Sequence, residues 1–135
     1  MSKINSLFQK MTFKIHGDER GSLISLESLK NIPFDIKRIY YIFDTKPDVV
    51  RGLHAHKNLK QVLICTSGSC KIRLDNGFEE NIFNLNNASE GILIESLVWR
   101  EMYDFSPDCV LMVLANENYD ENDYIRDYKT FLSLL

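Results

Sequence analysis

Ten short runs rich in apolar and β-branched residues, at 11–16, 22–27, 36–44, 49–56, 61–66, 69–74, 78–84, 91–95, 98–105 and 109–116, recur along this chain between turn signals. That spacing belongs to all-β sandwiches and barrels. Thr66-Ser67-Gly68-Ser69 and Asp75-Asn76-Gly77 supply the small, polar and glycine residues that tight hairpins need where φ is positive. Pro47-Asp48 and Ser106-Pro107-Asp108 mark two more bends. Two runs, Gln61-Val62-Leu63-Ile64-Cys65 and Cys109-Val110-Leu111-Met112-Val113-Leu114, are apolar at nearly every position instead of alternating. Such strands are covered on both faces. One face looks into the barrel; the other is expected to meet a second sheet or a second subunit, and a dimer is the favoured arrangement. From Asp120 to Leu135 the period changes, with Tyr124, Tyr128, Phe131 and Leu135 at intervals of four, three and four. This predicts an amphipathic C-terminal helix docked on the barrel's outside.

At 135 residues, 44% of them apolar, the chain reads as one domain spanning 1–135 with a single core. A net charge of −3 gives no broad electropositive field, which argues against nucleic acid or an anionic membrane surface as partner. Any anion must then be held by local arginines. The N-terminus has no apolar core of signal-peptide length, and no window approaches the ~20 apolar residues of a membrane span, so the expected location is cytoplasmic. Cys65, Cys70 and Cys109 are an odd count with no Cys-x-x-Cys pair, and they read as reduced, structural thiols.

The chemically specific stretch is His54-Ala55-His56, followed by Gln61 and Gly68. On a strand the two imidazoles face one way, ~7 Å apart at their Cα atoms. The spacing resembles the metal-binding motif of cupin barrels, His-x-His, four residues, Glu, six residues, Gly, with Gln61 standing where the carboxylate belongs. The third histidine of that pattern falls near Arg100, whose guanidinium has no lone pair to donate. The remaining histidine, His16, lies far upstream. Two histidines without a carboxylate make a poor divalent-metal site, so no metal is expected. Imidazoles freed from a metal can move protons near their ordinary pKa of about 6.5. The bland alternative, two idle edge-strand histidines, does not account for Arg51-Gly52 before them or the Gln and Gly spacing after.

Other candidates are read beside their plainer explanations. Arg20, Arg51 and Arg100 each pass as polar surface residues, but together they offer three guanidiniums at strand starts or barrel mouths, suited to bidentate diphosphate contacts. Tyr40 and Tyr41 are adjacent, so one of them points into the cavity, and register decides which. The Gln61 amide can donate to a sugar oxygen or hold an imidazole tautomer. Trp99 is either core or a platform for a base or sugar. Asp120-Glu121-Asn122-Asp123 is most simply a solvated helix start.

Five blocks, Glu19-Arg20-Gly21-Ser22-Leu23, Ile36-Lys37-Arg38-Ile39-Tyr40-Tyr41-Ile42, Arg51-Gly52-Leu53-His54-Ala55-His56, Val98-Trp99-Arg100-Glu101-Met102 and the run from Tyr119 to Tyr128, carry a likeness over nearly the whole chain. The sequence resembles the sugar 3,4-ketoisomerases, the WxcM-like, FdtA-type cupins that act on dTDP-4-keto-6-deoxyglucose. The resemblance implies an all-β cupin (RmlC-like) jelly-roll barrel without cofactor, and a homodimer exchanging N-terminal strands. It also implies a paired-histidine active site at His54 and His56, with nucleotide-sugar contacts at Arg20 and Tyr40. The expected reaction moves the keto group from C4 to C3 through an enediolate, giving a 3-keto-6-deoxyhexose for an amino deoxysugar. In that scheme one histidine is the carbon base, and the other histidine or Tyr40 shuttles the hydroxyl proton. Gln61 stabilises the enediolate, Trp99 lies against base or sugar, and Arg20, Arg51 and Arg100 grip the diphosphate. Competing readings are a 3,5-epimerase, a metal-dependent cupin enzyme and a non-catalytic nucleotide-sugar binder.

Overall fold

A computed structural model describes residues 7–135. The strands are β1 (Gln9–Thr12), β2 (His16–Asp18), β3 (Gly21–Leu23), β4 (Arg38–Ile42), β5 (Arg51–His56) and β6 (Gln61–Ser67). They continue as β7 (Cys70–Asp75), β8 (Glu80–Leu85), β9 (Glu90–Ile94), β10 (Trp99–Tyr103), β11 (Val110–Ala115) and β12 (Tyr124–Ile125), with a 3-10 turn at Glu121–Asp123 and a helix α1 (Tyr128–Ser133). Two five-stranded sheets form, ordered β1-β9-β6-β11-β4 and β12-β5-β10-β7-β8, while β2 and β3 make a separate two-stranded hairpin. Inward residues of the first sheet (Leu63, Ile92, Ile94, Leu111, Val113) meet those of the second (Ile72, Leu74, Met102) in one buried core. This is the aligned double-sheet packing of a jelly roll. Each such side chain contributes about 1.5–3 kcal/mol relative to exposure.

The opposite face of β6 explains the uninterrupted apolar runs. Val62 and Ile64, with Leu114 of β11, pack against Phe13, Ile32 and Phe34, because the irregular segment 24–36 lies over this sheet. The expectation that a second sheet or subunit covers that face is therefore corrected: the chain supplies the cover itself. The run predicted at 22–27 is a strand only to Leu23 for the same reason; its later residues leave the ladder, and Ile24 and Leu26 pack on this outer cluster.

Both turns come from their local chemistry, but they do different things. Asp75-Asn76-Gly77 closes the β7–β8 hairpin, with Asp75 Oδ1 accepting from the Gly77 N–H at 2.7 Å and Asn76 Oδ1 from the Phe78 and Glu79 N–H groups at 2.9 Å. The turn at 66–69 joins β6 and β7, which lie in different sheets, so it is a corner and not a hairpin. Gly68 has φ +68°, and a Cβ there would lie 2.2 Å from Ser106 Oγ, so only glycine fits.

The single C-terminal helix expected over 120–135 is the largest difference. Asp120 caps the 3-10 turn by accepting from the Asn122 N–H, and Asp127 caps α1 by accepting from the Thr130 N–H. Between these caps Tyr124 and Ile125 are extended and pair with His56 and Ala55 of β5. A strand pairing and a second N-cap thus override a helical period. The docking expectation holds for the short helix: Phe131 is buried with Ala55, Trp99 and Ile125. Among the described residues no helix is long and apolar enough to cross a membrane.

Candidate functional site

A bulge in β5 aims the histidines. The register against β10 shifts so that Arg100 faces His54 while Glu101 faces Gly52, leaving Leu53 as the extra residue. Gly52 and Leu53 both have positive φ, +84° and +55°, and a Cβ on Gly52 would crowd the Arg100 carbonyl oxygen at 3.0 Å. Such bulges re-aim side chains next to functional sites. Here the carbonyl of Gly52 turns to accept from His54 Nδ1 at 2.9 Å.

The two imidazoles stand edge to face with centroids 4.7 Å apart, and Tyr124 packs on both, at 5.0 Å from His54 and 4.4 Å from His56. Each ring has its Nδ1 proton assigned by an acceptor. For His54 it is the Gly52 carbonyl, and for His56 it is Asp123 Oδ2 at 3.0 Å. Both Nε2 atoms are therefore lone-pair acceptors. Burial, and after it the Arg100 charge, lowers His54 to about 4. The same causes, joined by His54, lower His56 to about 2. At neutral pH the pair consists of two uncharged bases.

Behind them lies a buried relay. Arg100, Gln61 and His56 have no exposed surface. Arg100 Nη1 donates to Gln61 Oε1 at 2.5 Å and Nη2 to the Val98 carbonyl at 3.0 Å, and Gln61 Nε2 donates to Tyr40 Oη at 3.0 Å. Burial lowers Arg100 to about 10, so it remains a cation. Burial also raises Tyr40 above the ordinary phenol value, against the Gln61 hydrogen bond and Arg100, so Tyr40 is a protonated donor. An amide engaged at both ends and a guanidinium in place of a third imidazole are not ligands for a divalent ion.

The histidine cleft encloses about 500 Å³ and is lined by Tyr40, His54, Arg38, Arg51, Arg126 and Tyr124, among others. A neighbouring recess of about 590 Å³ shares Arg38, Tyr119 and Tyr124 with it and adds Asn58 and Asp123. Arg38 lies over the rings of Tyr40 and Tyr119, 5.3 and 5.6 Å from their centroids, and its buried Nε has no partner among the described residues. Arg126 lies 4.3 Å over Tyr124 and pairs with Glu121. A guanidinium lying over an aromatic ring can still turn N–H groups to an anion, and Arg38 has one such group without a partner among the described residues.

The sequence candidates separate in three dimensions. His54, Tyr40 and Arg51 line the cleft. Tyr40 faces in and Tyr41 out, with 63% of its surface exposed. Gln61 and Arg100 are not in the cleft lining but buried behind it, hydrogen-bonded in series to Tyr40. Trp99 is on the other face of β10, with 4% of its surface exposed. Its Nε1 donates to Glu101 Oε2 at 3.1 Å and its ring packs on Tyr128 and Phe131, so it is core and not a platform. Arg20 is at the β2–β3 tip, paired with Asp18 at 2.6 Å, its side chain 86% exposed; it does not reach the cleft of its own chain. Arg38, Asp123, Tyr124 and Arg126 were missed. Arg38 was accessible, being two residues before Tyr40 on the same strand face. Asp123 was not, since its partner is 67 residues away.

The buried bases carry a stability signature. The folded chain holds His54 near pH 4, whereas the unfolded chain takes up that proton near ~6.5. Stability present above the unfolded value is therefore lost as pH falls toward the folded one. Urea midpoints measured from pH 7 to pH 4.5 will fall, and the decline will be shallower in His54→Asn; an identical decline would assign the effect to other groups.

Known proteins resemble this chain over most of its length. The family model FdtA, WxcM-like, C-terminal, matches residues 6–135. The TDP-4-oxo-6-deoxy-alpha-D-glucose-3,4-oxoisomerase of Aneurinibacillus thermoaerophilus is 54% identical over 121 residues, spanning 90% of this chain and 87% of that protein. The 3,4-ketoisomerase QdtA of Thermoanaerobacterium thermosaccharolyticum, solved as a point mutant in complex with TDP-4-keto-6-deoxyglucose, is 50% identical with TM-score 0.93, covering 95% of this chain and 93% of that one. A 3,4-ketoisomerase from Helicobacter canadensis is 53% identical with TM-score 0.92, covering 94% and 96%. These are cupin-like enzymes, and a match running through both sheets, the histidine strand and the C-terminal cap places this chain in the FdtA, WxcM-like C-terminal family.

Proposed function

We infer that the chain is a sugar-nucleotide 3,4-ketoisomerase converting TDP-4-keto-6-deoxyglucose to its 3-keto isomer. The observation that carries this reading is a neutral His54 with a free Nε2 lining one cleft with a protonated Tyr40. The C4 carbonyl acidifies the hydrogen at C3. His54 Nε2 takes that proton, and the electrons of the C–H bond form an enediolate shared by O3 and O4. Tyr40 gives its phenol proton to O4 and recovers one from O3. The imidazolium then returns its proton to C4, leaving the ketone at C3 and both side chains as they began. Arg100, through Gln61, fixes the phenol's direction, and its charge favours the anionic intermediate. His56, held by Asp123, backs His54 and keeps its ring in place. Residues 1–135 act as one catalytic unit.

Arg38, Arg51 and Arg126 hold the diphosphate. Charge-assisted hydrogen bonds are worth about 1.5–3 kcal/mol each. Arg38→Met will therefore weaken TDP binding ~10-fold or more, read by calorimetry; unchanged affinity would move the diphosphate elsewhere.

The β2–β3 hairpin pairs with neither main sheet and exposes Ile15 and Leu23 at 53% and 59%. This supports a homodimer in which N-terminal strands exchange and Arg20 approaches the partner's cleft; light scattering giving a monomer at micromolar concentration would count against it. Three free, buried cysteines and a nucleotide-linked substrate suit a reducing cytoplasm.

NMR of the 4-keto sugar incubated with the protein in deuterated buffer tests the reaction. A ketoisomerase exchanges at C3 and C4 and accumulates the 3-keto product. Exchange at C3 and C5 would make it an epimerase, and an unchanged sugar a binder.

A further inference from the structure

The barrel end remote from the histidines holds the chain's three cysteines. Cys65 shares the inward face of β6 with Gln61 and Leu63 and lies four residues past Gln61, ~13 Å along the strand. Cys70 opens β7 across the corner, and Cys109 immediately precedes β11. Their exposures are 1%, 1% and 2%. The three sulfurs all lie within 4.8 Å of one another, with Cys65 and Cys109 3.6 Å apart, and none is in a disulfide. Leu7, Phe105 and Leu111 belong to the same buried cluster. The ketoisomerase chemistry uses none of these thiols.

We propose that this corner is a three-sulfur binding site for a soft, thiophilic cation, copper(I). Sulfurs 3.6–4.8 Å apart leave an ion at the centre of their triangle about 2.1–2.8 Å from each, a range that contains the ~2.3 Å of a metal–thiolate bond. Thiolates select copper(I) and zinc over harder ions. Zinc takes a fourth ligand in a tetrahedron, whereas this corner presents three sulfurs among apolar side chains, a set that copper(I) accepts. Each Cu–S bond formed releases that thiol's proton to the buffer, and copper enters and stays as copper(I), so no oxidant or reductant is needed.

The experiment is an anaerobic titration of the reduced full chain with copper(I) presented as its bicinchoninate complex. One copper(I) per chain will leave the chelator, and X-ray absorption at the copper edge will show sulfur neighbours alone. The His54→Asn/His56→Asn double variant will take up the same amount, and Cys65→Ser, with an unchanged circular dichroism spectrum, will take up none. If Cys65→Ser does not fold, the copper-edge spectrum of the unaltered chain decides. Nitrogen neighbours, or copper left wholly with the chelator, overturn the proposal, and either result leaves the sugar chemistry untouched.

Discussion

Replacing His54 with asparagine will lower kcat by ~10² or more, the usual worth of a positioned general base, with little change in KM. The amide can still donate to the Gly52 carbonyl that now holds Nδ1 at 2.9 Å, so the bulge in β5 keeps its closing hydrogen bond while the lone pair at Nε2 disappears. Single-turnover kinetics will place the loss in proton removal, and solvent deuterium will no longer enter C3 at an appreciable rate. His56→Asn provides the contrast. His56 is fully buried and bound to Asp123, so its loss will act through the position of His54 and will disturb the pH profile of kcat/KM as well as its height. Near-normal turnover in both variants would remove the pair from the mechanism.

Arg100→Met is expected to uncouple stability from catalysis. The guanidinium is wholly buried and donates to neutral acceptors, Gln61 and the Val98 carbonyl. Burying a charge in this way is costly, and an apolar side chain of similar length in such a place is often neutral or stabilising. Against that, Gln61 Oε1 loses its partner, at about 1–3 kcal/mol, so the melting temperature will move little. Catalysis will not be spared: with Gln61 released, Tyr40 loses its fixed direction, and misplacement of that order costs ~10²-fold in kcat. The pH profile gives a second, independent reading. Arg100 is the second cause, after burial, of the depressed His54 value near 4, so its removal will shift the acid limb of kcat/KM to higher pH. An unchanged acid limb with full activity would reduce Arg100 to a packing residue.

The barrel and its histidine pair were legible because both rest on short-range periodicities. The unbroken apolar run of β6 and the residues of the Asp75-Asn76-Gly77 turn need no knowledge of the rest of the chain. The i, i+2 spacing of His54 and His56 survives the bulge because the extra residue, Leu53, precedes both. Depth was not legible. Arg51 and Arg100 look alike in sequence, yet one lines the cleft and the other is sealed behind it. Trp99 and Arg100 point to opposite faces of one strand, and assigning the wrong face to tryptophan follows from not knowing the register.

Chemical order along the chain was enough to read an all-β sandwich or barrel, to pair two imidazoles on one face, and to put Gln61 and Arg100 where a cupin metal site has its carboxylate and third histidine. Only tertiary structure decided that Asp123 bonds His56, that Gln61 and Arg100 form a buried hydrogen-bonded chain to Tyr40, that segment 24–36 covers the outer sheet, and that Arg38 and Arg126 flank the cleft. The physical reason is that strand period sets which side chains share a face, whereas hydrogen bonds between residues tens of positions apart depend on sheet order and register, which no local pattern encodes.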